Sequence, residues 1–77
     1  MKQGMDSLVA RQLELMTKLI TRAKQNRATG LSRADAFAQA ILDMPNTYQA
    51  LDTVSREITR YNLRHGATFQ AKWPRLD

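Results

Sequence analysis

The chain has 77 residues, of which 43% are hydrophobic and 25% charged, with no cysteine and a formal net charge of +5 at pH 7. This length allows one small domain with a thin core, and the absence of cysteine excludes disulfides, thiolate metal sites and a thiol nucleophile. No apolar segment reaches the roughly 18 residues of a membrane-spanning helix, and the N-terminus lacks the apolar stretch of a secretory signal, so we expect a cytoplasmic protein.

The positive charge is concentrated in the first part of the chain. Residues 1–30 carry six basic and two acidic residues, a net charge of +4, whereas residues 31–77 contribute only +1. A basic segment is typical of proteins that bind nucleic acid, an acidic protein surface or a membrane face. The same charge can also serve solubility alone, and the composition leaves both interpretations open.

The first predicted helix covers residues 7–26. Asp6 or Ser7 can cap its N-terminus, and Gly30 provides a backbone that can turn after its C-terminus. Hydrophobic residues recur in this range at spacings of three and four, which places them on one face of a helix. This face consists of Val9, Leu13, Met16, Leu19, Ile20 and Ala23, widened by Leu8 and Leu15.

The second predicted helix covers residues 33–43. Ser32 is a good N-cap, and Asp35 stands in the reciprocal position of a capping box. Pro45 disfavours helical geometry at Met44, so the helix should end just before that residue. Its apolar stripe consists of Ala34, Phe37, Ala38 and Ile41, extended by Leu42 and Met44.

The third predicted helix covers residues 47–65, with Asn46 as its N-cap and Gly66 as its left-handed C-terminal residue. Its apolar face consists of Tyr48, Leu51, Val54, Ile58 and Tyr61. Because three amphipathic helices must cover one another's apolar faces, residues 1–66 are predicted to form an all-α three-helix bundle. A homodimer through the first helix is a further way to cover its large apolar face.

Residues 67–77 are predicted to form a separate C-terminal tail. Phe69, Trp73 and Leu76 have helical spacing, but Pro74 interrupts any helix, so we expect one short turn and then extended chain. Trp73 either folds back over the open end of the bundle or anchors a partner, since exposed tryptophan is enriched at binding hot spots.

Two groups of basic residues are the candidate binding site. Arginine suits phosphate because its planar guanidinium donates two hydrogen bonds at once. The three arginines of the third helix lie one turn apart, on the side away from its apolar face. A charged outer face is equally common on helices that bind nothing. The first group is Arg56, Arg60 and Arg64, and the second is Lys18, Arg22, Lys24, Arg27 and Arg33.

Patterns typical of catalysis and metal binding are absent from the sequence. The single histidine, His65, lies near a helix C-terminus, where histidine more often interacts with free carbonyl groups than performs catalysis. Without a second histidine or a cysteine, a transition-metal site is not expected. The acidic residues are expected in surface ion pairs, Asp52 with Arg56 and Glu57 with Arg60. We therefore expect a non-enzymatic protein without cofactor, metal or small-molecule substrate.

The stretch from Gly30 to Leu51, GLSRADAFAQAILDMPNTYQAL, resembles helical segments in head-assembly and maturation proteins of tailed bacteriophages. The likeness covers less than a third of the chain, and no functional residue follows from it. It implies a phage or prophage origin and hence the cytoplasm of a bacterial host. The likeness is carried by Gly30, Leu31, Ser32, Ala36, Pro45 and Tyr48.

Together these features favour a small, basic, phage-type binding protein with a regulatory or inhibitory role. It would dock a basic helical surface on nucleic acid or on an acidic protein surface. The alternative is a structural or scaffolding role in phage particle assembly through helix–helix contacts. A discrete monomer or dimer in solution would favour the first role, and higher-order assembly the second.

Overall fold

The computed structural model describes residues 4–76 of the chain. They form three helices, α1 Gly4–Arg27, α2 Arg33–Asp43 and α3 Pro45–His65, and this part of the chain contains no strand. The prediction of an all-α three-helix bundle is confirmed, with contacts among all three helices. Of the predicted ranges 1–66 and 67–77, residues 1–3 and 77 lie outside the described residues.

The first helix begins earlier than predicted, at Gly4 instead of residue 7. Asp6 and Ser7 therefore lie inside its first turn, where the Asp6 carboxylate interacts favourably with the positive end of the helix dipole. After Arg27 the chain turns through Gly30, whose φ of 104° is rarely adopted by residues with a β-carbon.

A single residue, Met44, separates α2 from α3. The predicted N-cap of α2 is confirmed, because the Ser32 hydroxyl accepts a hydrogen bond from the Asp35 N–H at 3.2 Å. Met44 has φ −129° and ψ 62°, outside the helical region, as expected for a residue before proline. The prediction of Asn46 as the cap of α3 is wrong, because α3 begins at Pro45, whose fixed φ suits the first helical position.

The hydrophobic core has two parts, and α1 contributes to both, which makes it the central helix of the bundle. The larger part consists of Leu15, Met16, Leu19, Leu51 and Ala71. The smaller part consists of Ala23, Ala36 and Ala40. The start of α1, at Gly4 and Asp6, lines a depression together with Tyr61 near the end of α3, whereas Leu19 in the second half of α1 packs with Leu51 in the first half of α3, so these two helices run antiparallel. The helix α2 packs on the C-terminal half of α1.

The buried faces differ in detail from the predicted stripes. Leu13, predicted on the buried face of the first helix, is exposed, and its neighbour Gln12 is buried instead. On α2 the predicted Ala34 and Ala38 are exposed, and the buried face includes Ala36. The apolar face of an amphipathic helix is wide, and the sequence pattern gives only its approximate orientation. The position of the neighbouring helix decides which residues of this face are buried.

The tail, residues 67–76, packs along the bundle without the expected helical turn. The Asn62 amide donates to the Phe69 carbonyl at 2.8 Å and accepts from the Phe69 N–H at 3.1 Å. Farther along, the Ala71 N–H donates to Oε1 of Gln12 at 2.8 Å, and Leu76 packs on the smaller part of the core. The tail thus returns along α1 from the end of α3 toward α2.

Candidate functional site

The arginine row, defined as Arg56, Arg60 and Arg64, lies on the outer face of α3 with all three residues exposed. At 3.6 residues per turn, the row covers about 80° of the helix circumference and is centred roughly opposite the buried Leu51 and Ile58. Successive arginines are about 6 Å apart along the helix axis. Burial of one face of α3 therefore presents three guanidinium groups to solvent in a nearly straight row.

One member of the arginine row has an acidic partner. The predicted pair of Arg56 with Asp52 is confirmed by an Nε–Oδ2 distance of 3.1 Å, with side chains 70% and 48% exposed. Such a pair on a helix surface contributes only about 0.3–0.5 kcal/mol, so an incoming anion can replace Asp52. Within residues 4–76, the predicted pair of Glu57 with Arg60 is not formed.

The second basic group does not form one surface. At 3.6 residues per turn, Lys18 and Arg22 lie about 40° apart around α1, whereas Lys24 lies about 160° from Arg22. Arg27 is the last residue of α1 and Arg33 the first of α2, so the turn between the helices separates them. The concentration of charge in the first 30 residues is therefore not a concentration in space.

Arg22 is held by the end of α2. Its Nε donates to Oδ2 of Asp43 at 2.9 Å, the Gln39 amide donates to Oδ1 at 2.8 Å, and the Asn26 amide to Oδ2 at 3.4 Å. The hydrogen bond from Gln39 foremost, and then that from Arg22, lowers the pKa of Asp43 from its ordinary value of 3.8. Arg22 thus joins α1 to the end of α2.

An open groove of about 560 Å³ lies beside this ion pair, between α1 and the joint of α2 and α3. Lys18 and Arg22 line it on one side and Asp43 on the other. Because the carboxylate offsets the charge of Arg22, this groove is less suited to anions than the arginine row.

The aromatic side chains of the tail are held in place but only half covered. Trp73 packs edge-to-face on Phe37 of α2, with ring centroids 5.2 Å apart and an interplanar angle of 82°. Phe69 packs on Tyr61 at 5.8 Å, and the Tyr61 ring also contacts His65 at 4.2 Å. Trp73 and Phe69 remain 44% and 42% exposed. Trp73 therefore packs on the side of α2, and nearly half of its surface is available to a partner.

The tail groove, about 180 Å³, lies where the tail packs beside α1 and α3. Its lining residues from the tail are Phe69, Gln70 and Trp73, and those from the helices include Gln12, Ser55, Thr59 and Asn62. A neighbouring depression of about 330 Å³ is lined by Ser55, Arg56, Thr59 and Arg60. Because both share Ser55 and Thr59, one continuous surface leads from the tail aromatics to the arginine row.

Two further cations lie beside Trp73 and were missed as candidates in the sequence. Lys72 and Arg75 are exposed, and they flank the tryptophan in the order Lys-Trp-Pro-Arg. They are isolated in the sequence from the arginines of α3, and only the return of the tail along the bundle brings this segment to the groove beside α3. The combination of basic and aromatic residues in the tail was the sequence feature that could have indicated these two residues as binding candidates.

Among residues 4–76, no three His, Cys, Asp or Glu side chains are arranged to hold a metal ion. None of the helices in this range is long and apolar enough to cross a membrane. No family model matches the chain, and the comparisons with curated proteins and with solved structures found no match. The resemblance of residues 30–51 to segments of phage head proteins therefore stays a prediction.

Proposed function

We propose that this chain is a small binding protein that docks the outer face of α3 on the phosphate backbone of a nucleic acid. The observation that carries the proposal is the arginine row, with three exposed guanidinium groups at regular spacing on one helix. Each guanidinium can donate two parallel hydrogen bonds to a phosphate, and hydrogen bonds between charged groups are the stronger kind.

The fold supports this function by holding the row in position. Leu51 and Ile58 bury the opposite face of α3 against the rest of the bundle, so the helix that carries the arginines needs no ordering when it binds. The net charge of +5 adds long-range attraction to any polyanion and speeds encounter at low salt. In this proposal the role is regulatory or inhibitory, and the protein acts in a bacterial host, as the resemblance to phage proteins implies.

The proposal is tested by replacing the arginine row with glutamate in the triple variant Arg56→Glu, Arg60→Glu, Arg64→Glu. A matched control makes the same change at three basic residues of α1, Arg11, Lys18 and Lys24, which are also exposed. Each variant lowers the formal net charge of +5 by six units, so the two variants have the same total charge and carry the change on different helices. Affinity for a labelled oligonucleotide is measured by fluorescence anisotropy over a series of salt concentrations.

The wild-type chain should bind with a logarithmic salt slope between about −2 and −3, the value for three phosphate contacts. The row variant should lose at least about 100-fold in affinity, since it loses three charge-assisted contacts, while its helical circular dichroism is unchanged. The control should lose much less. Equal losses in the two variants, or affinity that is independent of salt, would contradict the proposal, and binding only to an acidic protein would replace it.

A structural role in phage particle assembly is the second candidate. Leu42 on α2 and Leu63 on α3 are the most exposed large hydrophobic residues described, at 73% and 82%. They provide apolar contacts for further subunits, although exposed leucines that stand singly are common on soluble proteins. Light scattering on the samples used for binding separates the two functions, because a discrete monomer or dimer contradicts the assembly role.

A further inference from the structure

We propose that the nucleic acid bound beside α3 is single-stranded, and that its bases stack on Trp73 and Phe69 at the tail groove. This inference rests on the proposed function and specifies its ligand. Base stacking needs aromatic side chains that are accessible, fixed in position and close to cations that hold the strand. The tail and α3 together provide all three features.

The two aromatic rings are accessible and fixed. Each has more than 40% of its surface exposed, although a chain of this size has few other large side chains with which to fill a core. Trp73 is held from one side by Phe37, and the Phe69 backbone is held by both polar atoms of the Asn62 side chain. Neither ring needs to become ordered when a base stacks on it.

The spacing of the two aromatic residues along the tail allows each ring to stack on a separate base. Phe69 and Trp73 are four residues apart in a segment without helix, so their Cα atoms are at most about 14 Å apart. Between them lies Ala71, whose N–H is bound by the buried Gln12, so the tail is anchored to the bundle at this point. The tail therefore presents two stacking surfaces along one line.

The cations lie where the phosphates of a stacked strand would pass. The tail groove shares Ser55 and Thr59 with the depression at Arg56 and Arg60, so phosphates at these arginines lie within reach of bases at the groove. The tail groove is lined by neutral hydrogen-bonding side chains together with the apolar Met16, Leu51 and Ile58. The hydrogen-bonding side chains are Gln12, Ser55, Thr59, Asn62 and Gln70.

A duplex would not use this surface. The faces of its bases are already stacked on one another, and a ring can reach them only after unstacking a base step. A single strand offers free base faces, and each stacked base strengthens binding by about 5- to 150-fold. Half-exposed rings beside a row of arginines therefore favour a single strand as the ligand, with little preference for base sequence.

Trp73 is the only tryptophan of the chain, so its fluorescence reports stacking directly. The full chain is titrated with an oligothymidylate single strand and with a duplex of equal length, at the same low salt concentration. We expect the single strand to quench Trp73 emission and to bind at least about tenfold more tightly than the duplex. Unquenched emission at saturation, or equal affinity for the duplex, would overturn the inference.

Variants of the rings complete the test, with anisotropy of a labelled strand as the measurement. Trp73→Ala should weaken single-strand binding by about tenfold, whereas Trp73→Phe keeps an aromatic ring and should retain most of the affinity. Phe69→Leu, which preserves the apolar contact with Tyr61, should also weaken binding. Leu42→Ala is the control, because Leu42 is 73% exposed on α2 and lines neither the tail groove nor the depression at the arginine row.

The outcomes separate this inference from the proposed function. If the arginine-row variant loses binding while Trp73→Ala and Phe69→Leu bind as the wild type does, the stacking inference is wrong and the proposed function stands. If neither a single strand nor a duplex binds at low salt, the proposed function and the stacking inference are both wrong. The exposed aromatic rings of the tail would then be candidates for contact with a protein.

Discussion

The carboxylate of Asp43 accepts hydrogen bonds from three side chains, one on its own helix and two on α1. Gln39 binds one oxygen, while Arg22 and Asn26 bind the other. Asn26 also donates to the carbonyl of Ala36, so the same α1 residue contacts both ends of α2. At the scale of single residues, the position of α2 therefore depends on polar contacts as well as on its small apolar face.

The pH dependence of stability should reveal the contribution of Asp43. Because its pKa is lowered by folding, the stabilisation is fully present above the unfolded value of 3.8 and is lost as the pH falls through the folded value. Asp43→Asn should therefore be less stable than the wild type at neutral pH, and the difference should shrink only as the pH falls below 3.8 and through the lowered pKa of Asp43. Thermal unfolding followed by circular dichroism at a series of pH values measures the stability of the wild type and of the variant.

The control for this prediction is Asp52→Asn, which removes a carboxylate from a single exposed ion pair. Such a pair contributes about 0.3–0.5 kcal/mol, so the change should have little effect on the unfolding temperature. A destabilisation by Asp43→Asn that persists unchanged at the lowest pH would show that the carboxylate charge is not the cause.

At the scale of helices, the contact between α1 and α2 depends on side-chain size. Ala23, Ala36 and Ala40 are fully buried and lie together, which lets the two helices approach closely. The connection after α2 also restricts the position of this helix, since Met44 alone links α2 to α3. Both features limit the ways in which α2 can be rearranged without loss of packing.

Enlarging the side chain at this contact should therefore destabilise the bundle. Ala40→Leu places a large side chain where no space is available, and it should lower the free energy of unfolding by about 1–3 kcal/mol. Ala38→Leu is the matched control on the exposed face of the same helix, and it should stay within about 0.5 kcal/mol of the wild type. Urea unfolding measures both, and equal effects at the two positions would refute the close contact.

At the scale of the whole molecule, Gln12 connects three parts of the chain. It is 4% exposed, its amide donates to the Ser55 hydroxyl of α3 at 3.1 Å, and its carbonyl accepts from the Ala71 N–H of the tail at 2.8 Å. The stripe of large hydrophobic residues on α1 is interrupted by this one polar residue. Its burial is explained by the two hydrogen bonds.

Removal of the Gln12 side chain should release the tail from the bundle. Gln12→Ala leaves the buried Ala71 N–H without an acceptor, which costs about 1–3 kcal/mol of folding free energy. The emission of Trp73 should shift toward that of a solvent-exposed indole, while the helical circular dichroism is retained. Gln70→Ala, at an exposed position of the tail, is the control. Emission unchanged by Gln12→Ala would show that other contacts hold the tail.

The ends of the helices show how far local sequence signals extend. The cap at Ser32, the end of α2 before Met44 and the left-handed Gly66 were all predicted and are all present. The start of α3 was misplaced, because Asn46 and Pro45 offered competing signals and proline at the first helical position prevailed. The start of α1 was also misplaced, since Asp6 can stabilise a first turn from within as well as cap it.

The candidate site was less predictable than the fold. The arginine row could be derived from the sequence because i, i+4 spacing places residues on one face of any helix. The role of Arg22 could not, because its partner Asp43 lies on another helix. The position of the tail beside α3 could not be predicted from the sequence either, since it depends on contacts between residues as far apart in the chain as Gln12 and Ala71.

The sequence by itself determined the number of helices, most of their ends and the face of α3 that carries the arginine row. Capping, proline and glycine effects act within about four residues, so no tertiary contact is needed to read them. Only the tertiary structure decided which edge of each apolar stripe is buried, which cation pairs with an acid on another helix and where the tail lies. These depend on contacts between segments distant in the chain, whose geometry is set when the helices pack together.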